Sequence, residues 1–201
     1  MYRKYFKRVF DFVCSLIFLL FFSPLFLLIA ILIKIESPGP VFFTQTRIGI
    51  HRKEFSIYKF RTMHIGAVKE QRVGVEVVKS DHRITVIGRL LRRFKIDELA
   101  QLINIMIGDM SFIGPRPTLP EYLSIYEEWE LGRFEVRPGL SGLAQINGNI
   151  YLDRENKSLY DVHYVKMLNF TLDITIILRT FLIVIMGEDK FVREFKNKEM
   201  R

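Results

Sequence analysis

The feature that most constrains this chain is an uncharged apolar run near its N-terminus. Residues 12–33 carry no charged side chain, and a run of this length is enough to enter the hydrocarbon core of a bilayer. A removable secretory signal would have a shorter apolar region and a small-residue cleavage site, and none follows Ile33. We therefore expect a retained membrane element. Its basic flank contains Arg3, Lys4, Lys7 and Arg8.

Ser23 and Pro24 interrupt this run at its middle. Proline has no N–H to donate and its ring crowds the preceding turn, so a helix bends or breaks there, with the Ser23 hydroxyl available to a freed carbonyl. Each half then spans about 16 Å, roughly half the hydrocarbon thickness. Basic residues flank both ends, and the positive-inside rule favours returning both to the cytoplasm. The sequence predicts a re-entrant helical hairpin over residues 1–36, with a kinked spanning helix as the alternative.

The remainder, residues 37–201, has the composition of a mixed soluble domain. The whole chain of 201 residues is 49% hydrophobic and 26% charged, with a net charge of +8, so it is not a disordered sequence. Its one cysteine, Cys14, excludes an intramolecular disulfide, and no Cys/His set has the spacing of a zinc site. A disulfide-stapled secreted domain and a zinc finger are therefore excluded.

Two runs rich in β-branched and aromatic residues predict a short β-hairpin with strands at 41–46 and 55–62. Lys59 and Arg61 share one face of the second strand through its two-residue period. Arg47 joins these two cations if the hairpin pairs in the simplest register. A solvated face is the ordinary interpretation of such a pair of cations.

The clearest helical pattern of the domain covers residues 86–107, with Gly108 placed as its C-terminal stop. Residues 63–84 are less patterned and predict a loop. The apolar stretch 174–186 is too short to span a bilayer and predicts a core or interfacial helix. The basic residues of the 86–107 helix suit an anionic membrane surface: these are Arg89, Arg92, Arg93 and Lys95.

Asp97 and Glu98 lie against the apolar pattern of this helix. In a continuous helix Glu98 shares the apolar stripe, whereas Asp97 faces Arg93 and Gln101 one turn away. Desolvation and mutual repulsion would raise the pKa of both carboxyl groups, while a divalent cation or the nearby arginines would lower it. Such a pair suits Mg²⁺ binding by one set of oxygens while the other carboxylate acts as nucleophile or base. Solvated surface charge is the alternative, since most Asp-Glu dipeptides are of that kind.

Pro115 and Pro117 enclose Arg116 directly after this helix. The two prolines stiffen an extended segment, and a rigid guanidinium suits phosphate recognition. A rigid turn with an exposed arginine is the alternative. Farther on, the small residues and amides of 142–148, among them Gln145, favour either a nucleotide-base contact or an ordinary loop.

Six motifs follow one another along the chain: QTRIG at 45–49, KFRTM at 59–63, SDHRITVIGR at 80–89, KIDELAQLIN at 95–104, GDMSFIGPRP at 108–117 and RPGLSGLAQ at 137–145. In this order they resemble the bacterial sugar transferase family of monotopic phosphoglycosyl transferases. The resemblance covers nearly the whole chain. The chain departs from the usual family pattern at Ile96, Ala100 and Asn149.

Pattern and resemblance together predict an α+β fold, in which a re-entrant membrane hairpin precedes a small catalytic domain with a β-hairpin and interfacial amphipathic helices. The resemblance implies transfer of a phosphosugar from a UDP-sugar to undecaprenyl phosphate, with Mg²⁺ as cofactor and release of UMP. This would be the first membrane step of glycoconjugate assembly, at the cytoplasmic face of the bacterial inner membrane. Membrane lipid and downstream glycosyltransferases are the further expected partners, and no nucleic acid is expected.

The resemblance also implies roles for individual residues. Asp97 matches the aspartate nucleophile that becomes covalently phosphoglycosylated, and Glu98 matches the second acid, in Mg²⁺ binding or proton handling. Arg116 matches the phosphate-binding arginine of the family. The other expected substrate contacts are Lys59, Arg61, Arg47 and Gln145.

Two other function classes stay open from the residues alone. A basic, membrane-anchored binding module would also explain the net charge of +8. A membrane phosphohydrolase would use the same acids with water as acceptor. A binding module would not require Asp97 and Glu98 on an apolar stripe.

Cysteine accessibility tests the predicted membrane topology. In a Cys14→Ser background, we expect Lys4→Cys and Lys53→Cys to react with a membrane-impermeant maleimide only from the cytoplasmic side, because both basic flanks return there. Labelling of Lys4→Cys from outside intact cells would contradict the re-entrant element and favour the kinked spanning helix.

Overall fold

The computed structural model describes residues 2–66, 81 and 83–195, which form an α+β protein as predicted. The helices are α1 Lys7–Phe21, α2 Ser23–Glu36, α3 Val86–Arg93, α4 Leu102–Ile107, α5 Arg154–Met167 and α6 Phe170–Met186; the strands are β1 Phe42–Ile48, β2 Glu54–Phe60, β3 Ser111–Ile113 and β4 Gly139–Ser141. A π-helical turn covers Tyr2–Phe6, and 3₁₀ helices cover Ile50–Arg52, Ile96–Gln101, Pro120–Ile125, Glu128–Glu135, Gln145–Asn147, Asn149–Tyr151 and Glu188–Phe191. Most of the loop predicted over residues 63–84, with two positions of the SDHRITVIGR motif, lies outside the described residues.

Helix α1 turns its polar side towards the protein. Its buried residues are Lys7, Asp11 and Ser15, spaced four apart and therefore on one helix face. Large apolar residues such as Ile17 and Leu20 are exposed instead. This arrangement is the reverse of a soluble amphipathic helix, whose apolar face is the buried one.

The predicted helix break is present between α1 and α2. Pro24 cannot donate to the carbonyl of Leu20, and the Ser23 hydroxyl donates to that same carbonyl at 2.8 Å. The two helices are bent by 61°, so they form a wide V. Within the described part of the chain no single helix has the length and apolar composition of a membrane span, whereas this bent pair meets both together.

Buried polar contacts hold α1 against the domain. Lys7 Nζ donates to Asp173 Oδ2 of α6 at 2.6 Å, and neither side chain is more than 10% exposed. The Tyr164 hydroxyl of α5 donates to the other oxygen of Asp173 at 2.7 Å. Asp11 accepts the backbone N–H of Phe112 at 3.1 Å. Because a buried charge without its partner is costly, these contacts hold α1 against α6 and strand β3.

The C-terminal end of α2 is joined both to the hairpin and to α3. Arg61, just after β2, donates through its guanidinium to the carbonyls of Ser37 and Pro38, each at 2.7 Å. Glu36 accepts the backbone N–H groups of Val86 and Ile87 at the start of α3. Glu36 thus satisfies first-turn N–H groups that have no partner within α3, and Arg61 holds the two residues that follow α2.

The predicted β-hairpin is confirmed. Strands β1 and β2 pair antiparallel from Phe42 opposite Phe60 to Ile48 opposite Glu54. Arg47 lies opposite Phe55 and therefore on the same face as Lys59, as the simple register requires. Strands β3 and β4 form a second, parallel pair, which brings the end of the GDMSFIGPRP motif beside the start of RPGLSGLAQ.

The prediction of a single helix over residues 86–107 is wrong. Helix α3 ends at Arg93, Lys95 takes a left-handed conformation with φ of 55°, and the 3₁₀ helix Ile96–Gln101 follows. Gly108 does end α4, with φ of 103°.

The break has a packing cause. Leu91 and Ala100 pack in one buried cluster with Ile29 and Ile33 of α2, so α3 and the 3₁₀ helix lie on α2. Ile105 packs in a second cluster with Ile57 of the hairpin and Met110 after α4, which Leu19 of α1 and Phe26 of α2 also join. A straight helix cannot present one apolar stripe to both clusters, so the chain turns at Lys95.

Helix α6 begins before the predicted stretch 174–186 and has two kinds of face. Its inner side buries Asp173, Ile176 and Ile183, in agreement with a core helix. Its outer side exposes large apolar residues, including Phe181 and Ile185.

Gly88 allows α3 to lie directly on the end of the hairpin. A Cβ at this position would lie 2.1 Å from the carbonyl oxygen of Thr62. That oxygen accepts the N–H of Thr85 at 3.1 Å, which holds the two backbones together. A side chain at position 88 therefore forces α3 away from Thr62.

We expect Gly88→Ala to lower the free energy of unfolding by about 1–3 kcal/mol through this overpacking. Gly132→Ala is the matched control, because its Cβ would make an ordinary 3.8 Å contact with Val162 and should change stability by less than about 0.5 kcal/mol. Urea unfolding of both variants in detergent micelles measures the difference, and equal stabilities would contradict the close approach.

Candidate active site

The turn at Lys95 sets the position of the Asp97 and Glu98 carboxylates. They lie in the first turn of the 3₁₀ helix and not in the middle of a long α-helix. Ile96 packs on the cluster formed with α2, and Ala100 is fully buried there. This packing leaves the two carboxylates beside strand β2.

Glu98 accepts hydrogen bonds from two cations on one oxygen. Lys59 Nζ is 2.7 Å and Arg116 Nη2 is 2.8 Å from Glu98 Oε1, and the glutamate side chain is only 16% exposed. Burial alone would raise the pKa of Glu98, but Arg116 and Lys59 together lower it well below its usual value. Glu98 is therefore a fixed carboxylate whose charge is neutralised by its neighbours.

Asp97 has the opposite environment. Burial and the adjacent charge of Glu98 raise its pKa, while Lys59 and Arg92 act against this rise. Among the described residues, none outside Asp97 itself donates a hydrogen bond to its carboxylate. The two neighbouring acids thus differ, since Glu98 is held in an ion cluster and the Asp97 carboxylate receives no hydrogen bond from another described residue.

The arginine that accompanies Asp97 is Arg92, and the expected pairing with Arg93 is wrong because the helix is broken. Arg92 Nε donates to Thr62 Oγ1 at 2.8 Å, which directs its guanidinium to the inside of the site. Arg93 is exposed. The sequence pattern groups Arg92 with the surface residues Arg89, Arg93 and Lys95, and only the turn at Lys95 distinguishes it from them.

Arg47 lies close to the site but acts on the backbone. Its guanidinium donates to the carbonyl of Pro117 at 3.2 Å and to Gln45 Oε1 at 2.8 Å. Burial, followed by the nearby charge of Arg116, lowers the pKa of Arg47 to about 10. Arg47 therefore supports the segment that carries Arg116.

Arg61 and Gln145 are not brought to the two carboxylates. The buried guanidinium of Arg61 is used by the end of α2, and Gln145 Nε2 donates to the carbonyl of Leu140 at 3.0 Å. The structure thus gathers Lys59 and Arg116 at the acids, with Arg47 behind them, and gives Arg61 and Gln145 structural contacts.

The acids offer few protein ligands to a metal ion. Over the described ranges 2–66, 81 and 83–195, no group of three or more His, Cys, Asp or Glu side chains is arranged to hold one. Asp97 and the Oε2 atom of Glu98 are oxygen donors of the type that Mg²⁺ prefers. In the part of the chain that the structure describes, Asp97 and Glu98 are thus the carboxylates at this place that could bind Mg²⁺.

Comparison with known proteins gives a consistent set of relatives. Residues 2–187 match the family model described as bacterial sugar transferase. The chain is 40% identical over 182 residues to the uncharacterized sugar transferase EpsL of Bacillus subtilis, covering 90% of this chain and 88% of that protein. It is 41% identical over 184 residues to the UDP-glucose:undecaprenyl-phosphate glucose-1-phosphate transferase of Caulobacter vibrioides, covering 87% of this chain and 67% of that protein.

A longer relative is matched over only part of its length. The UDP-N-acetylgalactosamine-undecaprenyl-phosphate N-acetylgalactosaminephosphotransferase of Aeromonas hydrophila is 37% identical over 187 residues, covering 90% of this chain and 44% of that protein. The matched part of this relative is thus less than half of its chain.

Removal of Lys59 tests the electrostatics of the acids. In Lys59→Met we expect the pKa of Asp97 to rise further, because a cation that favours its ionised form is lost. A ¹³C titration of the Asp97 carboxyl carbon measures this value. Lys53→Met, in the exposed connection of the hairpin, is the control and should leave the pKa unchanged; a fall in Lys59→Met would contradict the assignment.

Proposed function

This chain belongs to the bacterial sugar transferase family, and from that premise we propose that it transfers a sugar 1-phosphate group from a UDP-sugar to undecaprenyl phosphate. The names of two relatives describe this kind of reaction, with glucose 1-phosphate in one and N-acetylgalactosamine phosphate in the other. In this proposal the enzyme is an Mg²⁺-dependent phosphoglycosyl transferase that starts the assembly of a glycoconjugate.

The observation that carries the proposal is the different state of the two acids. Glu98 is held by Lys59 and Arg116, whereas the Asp97 oxygens receive no hydrogen bond from another described residue. A nucleophile needs a free electron pair and a higher proton affinity than a neutralised carboxylate offers. This supports Asp97 as the nucleophile and Glu98 as the residue that fixes the cations.

The reaction then proceeds in two displacements. An Asp97 carboxylate oxygen forms a bond to the phosphorus that carries the sugar, while the phosphoanhydride bond to UMP breaks and UMP leaves with the electron pair. A phosphate oxygen of undecaprenyl phosphate next attacks the same phosphorus, and the bond to Asp97 breaks. The products are undecaprenyl diphosphate sugar, UMP and the free carboxylate.

Lys59 and Arg116 reduce the main obstacle to this chemistry. A carboxylate and a diphosphate repel each other, and fixed cations at the point of attack lower that repulsion. Arg116 is 42% exposed, so its guanidinium is able to reach a bound phosphate while it contacts Glu98. Both cations are positioned before substrate arrives, which avoids reorganisation during the reaction.

The donor set fits Mg²⁺ when substrate is included. Mg²⁺ is commonly held by one or two carboxylates together with substrate phosphates and water. Asp97 and Glu98 Oε2 would supply the protein oxygens, and the diphosphate of the donor would supply others. When bound, the ion would neutralise charge on the phosphates.

We further propose that the α1–α2 pair enters the cytoplasmic leaflet of the bacterial inner membrane and returns to the same side. The inverted polarity of α1 supports this, since its apolar face is the exposed one. The exposed residues Val86, Leu90 and Phe94 repeat every four positions on and just after α3, beside exposed basic residues, as in an interfacial helix. The acids would then lie near the headgroups, where the acceptor phosphate is found.

Substitution of Asp97 tests the nucleophile. In nanodiscs with Mg²⁺ and undecaprenyl phosphate, we expect Asp97→Asn to reduce UMP release from UDP-sugars by at least about 1,000-fold. Asp189→Asn is the control. Without acceptor lipid, wild type should exchange labelled UMP into the UDP-sugar through the covalent intermediate, and Asp97→Asn should not.

Three outcomes would contradict the proposal in different ways. Multiple turnovers of UMP release without lipid acceptor would indicate a hydrolase, because formation of the covalent intermediate releases only one UMP per enzyme. No release from any UDP-sugar by wild type favours a binding module. Full activity of the Asp97→Asn variant would contradict a covalent intermediate on Asp97.

A further inference from the structure

The backbone of the Pro115-Arg116-Pro117 segment is held at three successive carbonyl groups. The carbonyl of Pro115 accepts the N–H of Gly139 at 2.9 Å. The carbonyl of Arg116 accepts Arg133 Nη2 at 3.1 Å, and that of Pro117 accepts Arg47 Nη1 at 3.2 Å. Only the side chain of Arg116 is directed to the acids. Each main-chain bond restricts the direction in which that side chain leaves the backbone.

Arg133 is a buried side chain with several fixed contacts. It is 7% exposed, and its guanidinium lies 5.0 Å from the centre of the Tyr126 ring and 5.7 Å from that of Phe134. Its Nη1 donates to the Tyr126 hydroxyl. Its Nη2, the atom that bonds the carbonyl of Arg116, also lies 2.7 Å from Asp161 Oδ2.

Asp161 is the counter-charge of Arg133 and comes from helix α5. It is 2% exposed, and its Oδ1 atom has no hydrogen-bond partner among the described residues. Burial raises the pKa of Asp161 to about 6, although Arg133 and Lys157 lower it. The 2.7 Å distance between Asp161 Oδ2 and Arg133 Nη2 makes the two side chains a buried ion pair.

We propose that Asp161 and Arg133 are a positioning pair, which fixes the main chain of Arg116 and through it the direction of the Arg116 guanidinium at Glu98. The proposal rests on the function proposed above, in which Arg116 meets a phosphate of the donor. Neither Asp161 nor Arg133 contacts the acids. They act on the reaction only through Arg116.

The physical reason is that a buried cation does not keep its place without a counter-charge. If Asp161 loses its charge, the guanidinium of Arg133 is left unpaired and moves towards water or another acceptor. The carbonyl of Arg116 then loses one of the bonds that hold this segment. A half-exposed arginine on a loosened backbone samples more directions, and small misplacement of a positioning group costs up to about 100-fold in rate.

A kinetic double-mutant cycle tests this relation. In nanodiscs at neutral pH, we expect Asp161→Asn to lower kcat/KM for the UDP-sugar by about 10- to 100-fold. In an Arg116→Ala background the same substitution should change kcat/KM by less than about twofold, because the side chain through which it acts is gone. Losses that multiply in the double variant, or an unchanged Asp161→Asn enzyme, would overturn the proposal.

Glu130→Gln is the matched control for a buried ion pair in the same region. Glu130 is 1% exposed and lies 2.6 Å from Arg154, without contact to Arg116. We expect this variant to lower stability. Any loss of kcat/KM that it causes should be independent of Arg116, so the fold-losses of Glu130→Gln and Arg116→Ala should multiply in the double variant. A cycle that looks the same for Glu130→Gln as for Asp161→Asn would mean a general structural effect.

Two further measurements keep the test decisive if Asp161→Asn folds poorly or if no transfer is found. Arg133→Lys keeps the charge beside Asp161 but removes the fork that reaches the carbonyl of Arg116, and it should show the same coupling to Arg116→Ala. Amide exchange of Gly139, whose N–H is bonded to Pro115, should quicken in Asp161→Asn and Arg133→Lys but not in Glu130→Gln. An inactive wild type would contradict the proposed function alone, whereas unchanged exchange at Gly139 would contradict the positioning pair.

Discussion

The contacts at the C-terminal end of α2 are the constraint on which the rest of the structure depends. Arg61 donates hydrogen bonds to the carbonyls of the two residues that follow this helix, and Glu36 accepts the N–H groups at the start of α3. Arg61 follows the strand that carries Lys59, and α3 leads to the turn before Asp97. Both sides of the site are therefore fixed to one helix end, and unpaired buried groups there would be costly. The distance between Lys59 and the acids is set by this junction.

The site separates two neighbouring carboxylates that sequence alone cannot tell apart. Glu98 is neutralised by two cations that bind a single oxygen. Asp97 receives no hydrogen bond from another described residue, and its pKa is raised. The difference comes from the elements around them: the hairpin supplies Lys59 and the rigid segment after β3 supplies Arg116. A pair of acids with divergent environments is a common means of giving two carboxylates different tasks.

Local signals predicted much of the fold. The uncharged run and Pro24 predicted the bent helix pair, because a missing N–H acts within one helical turn. The two-residue period predicted the β-hairpin, because it also extends over only a few residues. The turn at Lys95 was missed, because the apolar spacing continues through it and only contact with α2 shows that two surfaces are involved. The resemblance indicated Asp97 and Arg116, whereas the structural role of Arg61 and the pairing of Arg133 with Asp161 depend on contacts between distant parts of the chain.

The polar face of α1 has a consequence for the order in which the chain is made. Lys7 needs Asp173, which belongs to the last α-helix and is synthesised long after residue 7 has left the ribosome. In the proposed re-entrant arrangement, the polar side of the first helix would face hydrocarbon until then, where charges are costly. On that proposal the N-terminal element would not reach its final depth during early synthesis. Its insertion would be completed only when the rest of the chain folds, which would make membrane attachment and acquisition of tertiary structure one event.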